Sequence, residues 1–146
     1  MKFYIAGPFF NEAQIAKVEY IKCILQSLDI EFFSPKDDCL FKPEGGHKMA
    51  KNILNANISA IFKCDAMIVI TDGKDTGTMF EAGFAYANEV PLLYVWLDHA
   101  PHHKFNLMLG ASGAVAMNEA ELLFHLRFFI DNDYFDPDSN IGVSYE

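Results

Sequence analysis

Asp65-Ala-Met-Ile-Val-Ile-Thr71 runs directly into Asp72-Gly-Lys-Asp-Thr-Gly-Thr-Met-Phe-Glu-Ala-Gly83. The first segment is a near-continuous apolar run, which suits a strand buried on both faces of a parallel sheet. The second breaks that run with a glycine and turns alanine-rich, so a helix is expected over about 78–88. A strand, a short polar loop and a helix in this order make half of a βαβ unit. Two carboxylates, Asp75 and Glu81, stand six residues apart across the junction.

Upstream, residues 2–6 read as a first strand stopped by Gly7-Pro8. Asn11 is a helix cap with Gln14 three residues on, and Ile15, Val18, Ile21, Leu25 and Leu28 form one apolar face. Residues 30–33 make a short second strand before Ser34-Pro35. Residues 36–47 read as an irregular loop, because Pro43 and the Gly45-Gly46 pair disfavour regular structure. A helix over 48–63 follows, with Ile53, Ala56, Ala60 and Ile61 near one face.

Downstream, residues 90–97 are a fourth strand and 98–105 a loop. Residues 106–110 are a helical turn, and 114–116 a short fifth strand. Asn118 caps a last helix to about residue 130, with Glu121 as its partner. Residues 131–146 are an irregular acidic tail. This order gives one domain over 1–146. The expected fold is a three-layer α/β, flavodoxin-like (Rossmann-like) one, with a central five-stranded, mostly parallel sheet and helices on both faces. Ligands of such sheets bind at the carboxyl ends of the strands, here loops 7–11, 34–47, 71–78 and 98–106.

Composition narrows the function. With 146 residues, 51% hydrophobic and 21% charged, the chain builds one ordinary core. A net charge of −9 argues against a nucleic-acid polymer as partner. No apolar run is long enough for a bilayer, and no export signal is evident, so no membrane association and a cytoplasmic location are expected. Cys23, Cys39 and Cys64 form no CxxC pair and are expected as free thiols. No HExxH or similar spacing calls for a metal, and neither GxxxxGK[ST] nor GxGxxG occurs.

The loops carry the candidate chemistry. Glu81, in the first turn of a helix starting near Thr78, has two readings. It is a capping-box partner of Thr78, or a carboxylate kept ionised by the helix N-terminus and available as a nucleophile. Asp75 makes a turn before Thr76-Gly77, or is the second carboxyl that a retaining glycosidic cleavage uses. Gly77 serves that turn or lets a ligand approach the backbone. Asp72 opens the same loop and joins the substrate-binding candidates. Tyr4 either packs or meets a nucleophilic carboxylate at the ligand end of its strand. Phe9 and Phe10 are core lids or a stacking surface for a planar ligand. Asn106 and Met108 read, by themselves, as a helix cap and a core methionine.

Taken together, Tyr4-Ile5-Ala6-Gly7-Pro8, Asp65-Ala66, Asp75-x-Gly77-Thr78-x-Phe80-Glu81-x-Gly83-x-Ala85 and Asn106-Leu107-Met108 resemble the nucleoside 2-deoxyribosyltransferases. The resemblance covers roughly residues 3–117. It implies a cofactor-free exchange of 2-deoxyribose between purine or pyrimidine bases, through a covalent deoxyribosyl-enzyme. Glu81 would be the nucleophile, Tyr4 its orienting partner and Asp75 the base contact that assists protonation. Asn106, with Met108 beside it, would reach the sugar in a neighbouring subunit's site, implying a homo-oligomer. The partners implied are deoxynucleosides and free nucleobases.

One position departs from the pattern. Where the family's better-known members place a base-contacting aspartate, eight residues before Asp65, this chain has Asn57. An amide can hydrogen-bond a base edge but supplies no proton at neutral pH, which leaves proton delivery to Asp75. Two other readings share the scaffold: a deoxynucleoside 5′-monophosphate N-glycosidase and a non-catalytic nucleoside- or nucleotide-sensing module. The first loop, Gly7-Pro-Phe-Phe-Asn-Glu12, is apolar then acidic and disfavours a phosphate.

Overall fold

In the computed structural model, five strands form one parallel sheet of order β2-β1-β3-β4-β5. The model describes residues 1–140 and 142–146, and of Pro137 the backbone alone. The strands are β1 (Lys2–Ala6), β2 (Glu31–Phe33), β3 (Ala66–Ile70), β4 (Leu92–Val95) and β5 (Ala114–Ala116). The helices are α1 (Glu12–Ser27), α2 (Pro35–Asp38), α3 (Gly46–Lys63), α4 (Thr76–Ala87), α5 (Leu107–Ser112) and α6 (Glu119–Asn132). The expected α/β fold is therefore present, and its sheet is wholly parallel among the described residues.

The period-2 alternation of the strands builds two cores. Phe3, Ile5, Ile68, Leu93 and Val95 face one layer with Val18, Ile21 and Leu25 of α1 and Leu122, Leu126 and Phe129 of α6. Tyr4, Ala6, Met67, Val69 and Tyr94 face the other with Ala60 and Ile61 of α3 and Ala82 and Ala85 of α4. All of β3 is buried, as its uninterrupted apolar run requires. β1 and β3 are neighbours reached by connections to opposite sides of the sheet. Their carboxyl ends therefore flank the switch point where such sheets bind ligands.

Local chemistry sets the helix starts. Asn11 Oδ1 accepts from the Gln14 amide at 2.9 Å, and Asn118 Oδ1 accepts from the Glu121 amide at 2.9 Å. Each such cap is worth about 1 kcal/mol. Gln14, however, turns its own carbonyl to the Phe10 amide rather than to Asn11. α4 starts two residues before the expected Thr78, because Asp75 is the N-cap and its Oδ2 accepts from the Thr78 amide at 2.7 Å.

Several expectations need correction. The 36–47 stretch is not wholly irregular: Pro35 opens α2, and Pro43–Gly45 forms a 3-10 turn leading into α3. Proline is well placed at the first position of a helix, where its missing N–H is not needed. Lys22 of α1, itself buried, holds α2 through Asp37 and also bonds Glu19; Lys36 closes the group through the same two carboxylates. Ala56 is exposed, so the inner face of α3 is Ile53, Ala60 and Ile61. β4 is shorter than 90–97, and α6 runs two residues past 130 to Asn132.

The acidic tail is also more ordered than expected, although Ile141 lies outside the described residues. It has a 3-10 turn at Pro137–Ser139. Asn140 Oδ1 accepts from the Val115 amide of edge strand β5 at 2.7 Å, while its Nδ2 donates to the Gly110 and Gly113 carbonyls. The Phe105 amide donates to Ser144 O and the Glu146 amide to Phe105 O, so the last residues run beside the start of α5.

Candidate active site

Three elements converge on Glu81. Tyr4 comes from the middle of β1 and is fully buried. Its hydroxyl donates to Glu81 Oε1 at 2.8 Å. Asn57 comes from α3, and its Nδ2 donates to the same Oε1 at 3.1 Å. Glu81 itself is the sixth residue of α4. Among the described residues no hydrogen bond goes to Oε2. The capping reading of Glu81 is thereby excluded: Asp75 caps the helix, and the Glu81 side chain turns inward.

Burial sets the electrostatics. Glu81 is pushed up from the ordinary carboxylate range to about 7, chiefly by desolvation. The Tyr4 and Asn57 hydrogen bonds oppose this, and the Asp75 charge adds to it. The helix N-terminus was expected to keep Glu81 ionised, but that effect fades beyond the first turn, so desolvation wins. Tyr4 is raised far above its ordinary value by burial and by the Glu81 charge, so it stays a hydrogen-bond donor. A part-buried carboxylate with neutral donors on one oxygen is ionisable near neutrality, and its other oxygen is unbonded among the described residues.

Asp75 has a double role in the fold. Its Oδ2 accepts from the Thr78 amide at 2.7 Å and from Thr78 Oγ1 at 2.8 Å, which leaves Oδ1 uncommitted. Gly77 is exposed in the first turn, and a Cβ there would lie 3.2 Å from Asp75 Oδ2, crowding the cap. Asp72, by contrast, is committed to the fold. Its Oδ1 accepts from the Asp98 amide at 2.7 Å and its Oδ2 from the Leu97 amide at 3.2 Å, with Lys17 Nζ 3.8 Å away. Asp72 thereby ties the ends of β3 and β4 together.

Phe9 and Phe10 stack on each other at 5.7 Å beyond β1, with Phe10 76% exposed. Asn106 caps α5, its Oδ1 accepting from the Met108 and Leu109 amides, and Met108 is 73% exposed rather than a core residue. Asn106 lines a cavity of about 820 Å³ with Asp72, Trp96, His103 and Lys104; Tyr4, Asn57, Asp75 and Glu81 are not part of its wall. The chain thus brings Tyr4, Asn57, Asp75 and Glu81 together, and among the described residues no hydrogen bond joins Asn106 or Met108 to them.

Two neighbours were not anticipated. Phe33 stacks on Tyr4 at 5.4 Å, as expected of residues paired in register across β1 and β2. Cys39, just after α2, feels the Glu81 charge; burial, Asp38 and Glu81 all push its thiol up. Strand register made the first contact legible in principle, whereas nothing local to Cys39 signals the second. All three cysteines are free, and among the described residues no group of three or more His, Cys, Asp or Glu is arranged to hold a metal.

A profile of the nucleoside 2-deoxyribosyltransferase family matches residues 3–126. The chain belongs to this family. A 2-deoxyribosyltransferase from the psychrotolerant bacterium Bacillus psychrosaccharolyticus is 25% identical, with a TM-score of 0.76 over 94% of this chain and 98% of that one. A conserved protein from Enterococcus faecalis V583 shares the fold at 23% identity and TM-score 0.75, over 88% and 98% of the two chains. A CMP N-glycosidase from Clostridium botulinum shares it more loosely, at 16% identity and TM-score 0.58, over 87% and 99%. No curated protein sequence matches the chain. In this member of the nucleoside 2-deoxyribosyltransferase family, the Tyr4–Glu81 hydrogen bond joins the middle of β1 to α4. No helix is long and apolar enough to cross a membrane among the described residues.

Proposed function

We propose that the protein moves 2-deoxyribose between nucleobases by two displacements at Glu81. The observation that carries this reading is the carboxylate held through Oε1 by Tyr4 and Asn57, with Oε2 unbonded. In the first step Oε2 bonds to the anomeric carbon and the carbon–nitrogen bond breaks. Its electron pair stays on the departing base, which takes a proton with the help of Asp75 through its uncommitted Oδ1. In the second step a nitrogen of the incoming base bonds to the same carbon. The ester bond to Oε2 breaks, its electrons return to the carboxylate, and the proton of the incoming nitrogen leaves by the Asp75 side. Two inversions give net retention. Phe9 and Phe10 supply a stacking face for the base.

The reading extends to assembly. Among the described residues Asn106 Nδ2 has no partner while its Oδ1 caps α5, and Met108 is 73% exposed. Both suit a contribution to a second copy's site, with Asn106 binding the sugar hydroxyl. A homo-oligomer working on deoxynucleosides and free bases in the cytoplasm follows from this reading.

The test is to supply deoxyinosine with and without adenine and to separate the products. Deoxyadenosine formed only with adenine supports transfer. Equal free hypoxanthine in both arms assigns hydrolysis, and binding without any cleavage assigns a sensing role.

A further inference from the structure

The two oxygens of a carboxylate are equivalent until something bonds one of them. In Glu81 both donors fall on Oε1, one from β1 and one from α3. Tyr4 alone would fix one direction. A second donor from a different element also fixes the carboxylate plane. Resting on the reading of Glu81 as nucleophile, we propose that Asn57 is its positioning residue: the Asn57 amide and the Tyr4 hydroxyl together hold Oε1, so that Oε2 is the oxygen that attacks.

The amide is oriented for this and not for the fold. Its Nδ2 faces Glu81, while its Oδ1 is buried with no partner among the described residues. An orphaned buried acceptor is destabilising, so a residue serving only packing on α3 would be apolar or fully paired. Turning the amide over would set Oδ1 against Oε1, acceptor to acceptor. A carboxylate at this place donates nothing unless it is protonated, and it would add a negative charge beside Asp75 and Glu81. The neutral donor favours the ionised nucleophile instead. The other groups facing Glu81 are Tyr4 from β1, Asp75 from the start of α4 and Cys39 beyond α2. Asn57 and Tyr4 are the two of these that donate to it.

The experiment follows the Glu81 carboxyl directly, by carbon-13 NMR titration of side-chain carboxyls in the full chain, with Glu81→Gln to assign the signal. Asn57→Ala opens the position to water, and Asn57→Leu keeps its volume. Asn57→Leu is expected to move the Glu81 titration upward, because it removes a donor to the charged form without admitting water, whereas in Asn57→Ala the entering water relieves desolvation and offsets that shift. Single-turnover formation of the sugar adduct, at a pH where the carboxyl is fully ionised in every variant, is expected to fall on the order of tenfold in both. A Glu81 titration unchanged or lowered in Asn57→Leu overturns the proposal, as does an undiminished single-turnover rate in either variant. If the wild-type protein forms no adduct, the nucleophile reading fails, while the titration still decides whether Asn57 holds the carboxylate.

Discussion

Asp72 and Glu81 lie nine residues apart, one in the β3–α4 loop and one on α4, and the fold treats them in opposite ways. Asp72 has an amide on each oxygen and Lys17 nearby, so its charge is matched from both sides. Glu81 has two neutral donors on one oxygen, and burial raises its proton affinity despite them. The first arrangement joins two strand ends. The second keeps a carboxylate short of partners, as the proposed nucleophile requires. What separates a structural acid from the proposed nucleophile here is where the donors fall, not burial alone.

Four measurements bear on that contrast. The largest effect is expected from Glu81→Gln, which keeps shape and burial but cannot attack. Transfer should fall roughly a thousandfold or more, with no mass shift from a covalent sugar adduct. A variant that still forms the adduct removes Glu81 from the chemistry.

Next comes the pH dependence of stability. Because the folded-state value of Glu81, about 7, is above its ordinary 4.5, its protonation stabilises the fold. That contribution is complete below about 4.5 and is lost as pH rises through about 7. Urea denaturation of wild type and Glu81→Gln should therefore diverge over this window, by up to about 3 kcal/mol in favour of the variant. Activity runs the other way: kcat/KM for the donor should climb to a plateau above about 7, since only the ionised form attacks. Parallel stability curves would deny the raised proton affinity.

Asp72→Ala should behave as a stability variant. It strands the Leu97 and Asp98 amides and costs about 2 kcal/mol, read as a lower urea midpoint. The smallest effect belongs to Tyr4→Phe, which keeps the packing on Phe33 but removes one of the two donors. Transfer should drop on the order of tenfold, and the acid limb of the pH profile should move upward. An unchanged profile would mean that the phenol does not tune Glu81.

Much of this contrast could be read from the chain. The apolar runs 65–71 and 3–6 specify two central parallel strands, and their adjacency brings β1 and the start of α4 together. The segment Asp75-Thr-Gly-Thr-Met-Phe-Glu81 holds two overlapping caps, Asp75 with Thr78 and Thr78 with Glu81. Spacing does not choose between them. The choice comes from Tyr4 and Asn57, which claim the Glu81 side chain from outside the helix. Asn57 was harder still, because a polar residue on an amphipathic helix looks like surface until the rotation of α3 against α4 is known. Asn140 and Cys39 act through contacts that close long loops, which no local pattern carries.

Asn140 has one more consequence. By accepting from Val115 it places a side-chain carbonyl where a sixth strand would put its backbone. An open strand edge is a template for uncontrolled pairing, and this one is blocked by the chain's own tail. Extension of the sheet by a second copy is thereby blocked at this end. Growth into a fibre from β5 would first require the tail to peel away.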